Sequence, residues 1–269
     1  MKTKFVYVIS LLILTLMIFP SNTSIQINPS HNSMDDFDII LYDNSERNLF
    51  INGTQYQLSG TNALTALLVV IDQEEWSYTI SDEYYEAFNS FLVTSIYGIE
   101  NEGWDGWQYW VNYPTNDIPM VGANAYELSD GDIVSWFYGG YGFNPDNSEH
   151  VINIEISIDT DETNPNATLN KPIQGGIYLN DNQLFSIPLI TSSVIINSLT
   201  ISIEATDEES GIDHISYSID GEIKYTCFEK PYTWTFEPSS GIHKSLLTIL
   251  VTDRCNQQTS LNQNIVTIN

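Results

Sequence analysis

The chain has 269 residues, with 35 Asp and Glu against 8 Lys and Arg, and a formal charge of −27. At 42% hydrophobic and 12% aromatic residues it can fill real cores, which excludes global disorder. Such acidity disfavours nucleic acid and anionic lipid, polyanions that need Lys or Arg, and it leaves the fold open.

In chain order, Lys2 and Lys4 precede an apolar run from Phe5 to Phe19, followed by Pro20-Ser21-Asn22-Thr23 with small residues at Ser21 and Thr23. This is the three-part pattern of a secretory signal peptide over residues 1–23, and the run is shorter than the roughly 20 residues of a spanning helix. An uncleaved N-terminal anchor is the alternative. No later stretch approaches spanning length, so the mature chain is expected to lack a membrane span and to be secreted or held at the cell surface. Cys227 and Cys255 fit that compartment as one disulfide, with two buried thiols as the other reading. Asn52-Gly-Thr and Asn166-Ala-Thr are candidate glycosylation sites, as is Asn22-Thr-Ser unless it leaves with the signal.

Phe37–Tyr42 has a strand's composition, and Leu49–Ile51 with Tyr56–Leu58 predict extended segments about an Asn52-Gly53 turn. The period then changes. Leu64, Leu67, Leu68 and Ile71 fall at i, i+3, i+4 and i+7, which predicts a helix to about Gln73 with Thr61 or Asn62 as N-cap. Strands follow at 76–80, 91–96, 107–113 and 133–138, separated by Gly, Asn, Asp and Pro clusters. Residues 151–158 alternate strictly, placing Ile152, Ile154, Ile156 and Ile158 on one buried face. The acidic, turn-forming stretch 159–165 reads as a linker. From Asn166 onward short strands recur every 8–12 residues, the signature of a β-sandwich.

The ordered series Asn62-Ala-Leu-Thr-Ala-Leu-Leu, Phe91-Leu-Val-Thr-Ser-Ile-Tyr-Gly-Ile, Gly106-Trp-Gln-Tyr-Trp-Val-Asn, Ala125-Tyr-Glu-Leu-Ser-Asp-Gly-Asp and Trp136 resembles the transcobalamin-like C-terminal domain, over about residues 37–140. Asp207, Ser210-Gly211-Ile212, Ile219-Asp220-Gly221, Pro231-Tyr-Thr-Trp234, Gly241-Ile-His243 and Val251-Thr-Asp253 resemble the bacterial Ig-like modules, over about 165–269. The resemblances imply a mostly β chain: a small α+β β-grasp-like domain at 37–158, then an Ig-like β-sandwich at 165–269. In vitamin B12 carriers the first module closes over cobalamin opposite a helical domain that this chain lacks, so the resemblance carries fold more than function. Where Ig-like modules often end a turn with a small residue and Gly-Asn, Arg254-Cys255-Asn256 stands here, which supports a tie between Cys255 and Cys227.

No catalytic motif is present: no His-Glu-x-x-His, no Gly-x-Ser-x-Gly and no phosphate-binding Gly-rich loop. His31, His150, His214 and His243 are scattered, and the carboxylates are too many for one pair to stand out. No enzyme activity, cofactor or metal is expected. Asp159, Asp161 and Glu162, with Asp207 and Glu208, make the better of two cation candidates, the other being Asp130-Gly131-Asp132, but both are read as solvated charge. The aromatic cluster carries the functional reading. On a strand, Trp107 and Tyr109 share one face and Trp110 the other, so Trp107, Tyr109 and Trp136 are assigned to the core. Trp104, Trp110, Tyr113 and Tyr141 are then the ligand-binding candidates, as exposed amphipathic rings. The expected function is a non-enzymatic binding or adhesion protein whose β-grasp domain contacts an extracellular protein or glycan, with the Ig-like domain as spacer. A carrier of a corrinoid or other small ligand and a structural component of an extracellular layer are the alternatives.

Overall fold

A computed structural model of the chain describes residues 33–269; the expected signal segment and the Asn22 sequon lie outside the described residues. The chain is mostly β, a small α+β β-grasp-like unit followed by an Ig-like β-sandwich.

The first unit opens with β1 (Ser33–Tyr42), the hairpin β2 (Glu46–Ile51) and β3 (Thr54–Ser59), and the helix α1 (Ala63–Glu74). Next come β4 (Tyr78–Ser81), the single turn α2 (Tyr85–Phe88), β5 (Leu92–Ile96), β6 (Ile99–Glu100), β7 (Gly106–Val111), β8 (Ile133–Gly139) and β9 (His150–Asp159). β1 lies parallel to β9 in unbroken register from Ser33 opposite His150 to Tyr42 opposite Asp159, in a sheet of order β1-β9-β8-β7. Such parallel pairing requires a long crossover, and here it contains α1, which packs back onto β1 and β9. Asn62 caps the helix as the sequence predicts: its Oδ1 accepts from the Thr65 amide at 2.8 Å, and Glu75 ends the helix at φ 55°. Leu64, Leu67, Leu68 and Ile71 join Ile154 and Ile156 in the first core.

β10 (Asn166–Lys171), β11 (Gly176–Leu179), β12 (Asn182–Ser186), β13 (Ser193–Ile196) and β14 (Leu199–Thr206) begin the sandwich. β15 (Ile212–Ile219), β16 (Glu222–Cys227), β17 (Thr233–Phe236), β18 (Ile242–Asp253) and β19 (Gln258–Ile268) complete it. A sheet of order β10-β14-β17 accompanies one of order β12-β11-β13-β19-β18-β15-β16. Alternate residues of both sheets, among them Ile201, Ile203, Tyr217, Leu247, Ile249 and Val251, build a second core.

Two expectations need correction. Cys227 and Cys255 are not joined: both thiols are free, Cys227 Sγ donating to Glu229 O at 3.1 Å and Cys255 Sγ facing Asp43 O at 3.8 Å. The sheet order explains it, since β15 separates β16, which ends at Cys227, from β18, which precedes Cys255. Two strand spacings put such positions about 10 Å apart, beyond the roughly 7 Å that a disulfide spans. The stretch between β9 and β10 is also not plain solvated charge, because Asp161 is buried. The candidate glycosylation residues Asn52 and Asn166 are both exposed, Asn52 in the β2–β3 turn and Asn166 at the start of β10.

Candidate functional site

The period of two on β7 places its aromatics as the alternation predicts, at different depths. Trp107 is buried, and its Nε1 donates to Ile99 O at 2.9 Å. Tyr109 packs against the same core and donates its hydroxyl to Val121 O at 2.8 Å; burial pushes that hydroxyl's pKa well above the usual tyrosine value. Trp136, facing Tyr109 across the β7–β8 pair, is buried as well.

Trp110 points to the opposite face, but that face is not bare. Its Nε1 donates to Asn116 O at 2.9 Å, its ring meets Tyr113 edge-on at 5.0 Å, and it is half-buried. The Gly140–Glu149 loop brings Asp146 within 2.8 Å of the Tyr113 hydroxyl and packs Phe143 against Gly139, where a Cβ would collide with the ring. Phe137, on this outer side of β8, is fully buried. Trp104 and Tyr141 are by contrast fully exposed, 98% and 107%, beside the opposite end of the β7–β8 pair, where Gly106 faces Gly139. The four predicted ligand residues therefore form two separate pairs.

One concave feature of this unit lies on the core-facing side. A groove of about 630 Å³ runs between α2, the start of β5 and the segment 119–125, with Trp107, Tyr109 and Trp136 along its floor. Phe88 and Met120 stand at its rim, 73% and 92% exposed. Asn124 holds one wall to another: its Oδ1 accepts from the Phe91 amide at 3.1 Å and its Nδ2 donates to Asn89 O at 2.9 Å. Gly122 approaches Ser90 so closely that a Cβ would overlap the serine hydroxyl.

Trp107, Tyr109 and Trp110 spend their donors on backbone carbonyls, whereas Trp136 Nε1 is buried with no partner among the described residues. A buried indole N–H is ordinarily satisfied, which sets this one apart from its neighbours. The arrangement offers an apolar, aromatic-floored trough, which suits binding. Phe88 and Met120 were missed from sequence because they sit on one helical turn and an irregular loop, where no periodicity reports a face.

Comparison with curated proteins finds no match. Among solved structures, the chain is similar to the fibronectin(III)-like modules of Clostridium thermocellum CbhA at 14% identity, covering 38% of this chain and 94% of that one, with a TM-score of 0.28. It is also similar to the N-terminal four Ig domains of Dscam1 isoform 7.44 at 5% identity, covering 87% of this chain and 44% of that one, with a TM-score of 0.29. Among the described residues no helix is long and apolar enough to cross a membrane. Residues 60–140, from the approach to α1 through β8, match the family described as a domain of unknown function, DUF4430.

Proposed function

We propose that this chain is a non-enzymatic binding protein of the cell surface or extracellular space. Its β-grasp-like unit takes a flat or elongated apolar ligand group bearing a hydrogen-bond acceptor, and the Ig-like sandwich serves as spacer. The observation that carries the reading is the buried Trp136 Nε1, without a hydrogen-bond partner among the described residues, at a groove where Trp107 and Tyr109 spend their donors on backbone carbonyls. The exposed rim of Phe88 and Met120 supports it, because large apolar side chains left to water mark contact surfaces. The resemblance of residues 37–140 to a module that closes over a planar ligand agrees with a trough of this shape.

Nile red, a flat neutral dye with a carbonyl acceptor, tests the groove. Saturable binding is expected in the whole protein, weakened by Phe88→Ser and Met120→Ser and unaffected by Trp104→Ala. Absence of saturable binding, or binding that ignores both rim substitutions, rejects the groove.

A further inference from the structure

Three aspartates from distant parts of the sequence converge beside the junction of the two halves. Asp161 lies between β9 and β10, Asp207 follows β14, and Asp253 closes β18; one carboxylate oxygen from each lies within 4.8 Å of the others. Asp161 and Asp253 are buried, at 7% and 1% exposure. Among the described residues no Lys, Arg or His forms an ion pair with any of the three.

The hydrogen bonds shape these carboxylates without using them up. Asp161 Oδ1 accepts from Thr163 N and Gln257 Nε2, each at 3.0 Å, and Oδ2 accepts from Ser210 N at 3.2 Å. Asp207 Oδ1 accepts from Gly211 N at 2.8 Å. Asp253 Oδ1 takes the amides of Cys255 and Gln257 at 2.9 and 2.8 Å, while Oδ2 is buried with no hydrogen-bond partner among the described residues. A buried carboxylate oxygen without a donor, close to two like charges, is costly unless something positive completes it.

We propose that Asp161, Asp207 and Asp253 form a calcium site that ties the connector to the Ig-like sandwich. The donors are all hard oxygens, which select Ca²⁺ or Mg²⁺ over softer ions. Oxygens on opposite sides of a Ca²⁺ at about 2.4 Å are about 4.8 Å apart, so the cluster can close on the ion with little movement. Water and backbone carbonyls supply the remaining positions. Because Asp161 belongs to the segment joining the halves, calcium holds that segment against the ends of β14 and β18.

The test uses the full chain in about 150 mM KCl, which screens diffuse binding to the acidic surface. Calorimetric titration with CaCl2 is expected to show one site per chain, weakened by about tenfold or more in Asp207→Asn and Asp253→Asn, since affinity follows ligand charge. The exposed Asp117→Asn is expected to leave it unchanged. Calcium, more than MgCl2, is expected to raise the melting temperature of the wild type and of neither cluster variant. In EDTA, Asp253→Asn is expected to melt no lower than wild type, because it removes the repulsion and keeps an acceptor; should it fail to fold, Asp207→Asn carries the comparison. Titration curves indistinguishable between wild type and the folded cluster variants, or wild-type melting indifferent to calcium, overturn the proposal.

Discussion

Arg47 grips Asp72 with both ends of its guanidinium, Nη1 2.9 Å from Oδ2 and Nη2 donating to Oδ1 at 3.1 Å. Arg254, from the other half of the chain, lies 3.8 Å from the same Oδ2. These are the protein's only two arginines, and both meet one carboxylate where the halves touch. Glu46 N donates to Arg254 O at 2.8 Å and Asn48 Nδ2 to Asp213 Oδ1 at 2.6 Å, while Phe50 and Phe228 pack with ring centroids 5.2 Å apart. Asp72→Ala leaves two largely buried guanidinium groups without their shared partner. It is expected to destabilise the protein by about 1.5–3 kcal/mol, the range for a hydrogen bond to a charged group. Urea melts read it; an unchanged midpoint would show that the junction contributes nothing.

Asn62 is fully buried and works at both ends of its amide, accepting from Thr65 N and donating to Ser59 O at 2.9 Å. Asn62→Ala removes the helix cap and leaves the Ser59 carbonyl with one donor fewer. The expected loss is about 1–2 kcal/mol. Asn62→Asp keeps the cap but not the donor, and should fall between wild type and alanine.

These two cases show where the sequence was legible. Local signals held: the Asn62 cap, the i, i+3, i+4, i+7 stripe of α1, the Asn52-Gly53 hairpin and the alternation of β9 each depend on neighbours a few residues away. What failed depended on strand order. Cys227 and Cys255 look like a pair in sequence, and only the position of β15 between their strands parts them. The alternation puts Trp110 on the outer face, yet its cover comes from a loop whose path no period encodes. The Asp161, Asp207 and Asp253 cluster needs three chain segments to meet; the acidity of the linker points to Asp161 and Asp207, but among 35 acidic residues nothing in the sequence sets Asp253 beside them.

With both thiols free, reducing agent is expected to leave the melting curve of the protein unshifted. Alkylation after denaturation, without prior reduction, should label both Cys227 and Cys255. A mass two hydrogens lighter than the reduced chain would contradict the separation of these residues in the sheet.

Asp181 supplies a pH dependence. Burial works against its charge, but Lys171 Nζ at 2.6 Å and the Thr200 amide at 2.6 Å hold its carboxyl below the usual aspartate range. A depressed folded pKa means stability that is present above the unfolded value of about 3.9 and is lost as pH falls through the folded value. The stability difference between wild type and Asp181→Asn should therefore be constant from pH 7 to about 5 and close below about 4. A difference that widens on acidification would reverse the assignment.

Trp107 and Trp136 are both buried indoles of the first core, and they differ in one respect that phenylalanine can expose. Trp107→Ala empties a core position and is expected to cost about 3–5 kcal/mol, against less than about 0.5 kcal/mol for Trp104→Ala in full exposure. Phenylalanine keeps most of the ring and deletes the N–H. At Trp107 that deletion strands the carbonyl of Ile99, which the indole now satisfies at 2.9 Å. At Trp136 it removes a donor that has no partner among the described residues, so none of their carbonyls is left behind. Trp107→Phe should consequently be more destabilising than Trp136→Phe by about 1 kcal/mol, the net worth of one buried hydrogen bond. Ligand binding should reverse the order: Trp136→Phe loses affinity for an acceptor-bearing ligand while its unliganded stability barely changes, and Trp107→Phe that still folds keeps its affinity. Equal losses of stability at the two positions would mean that the Trp136 N–H is satisfied in the free protein, and then the groove has no donor waiting for a ligand.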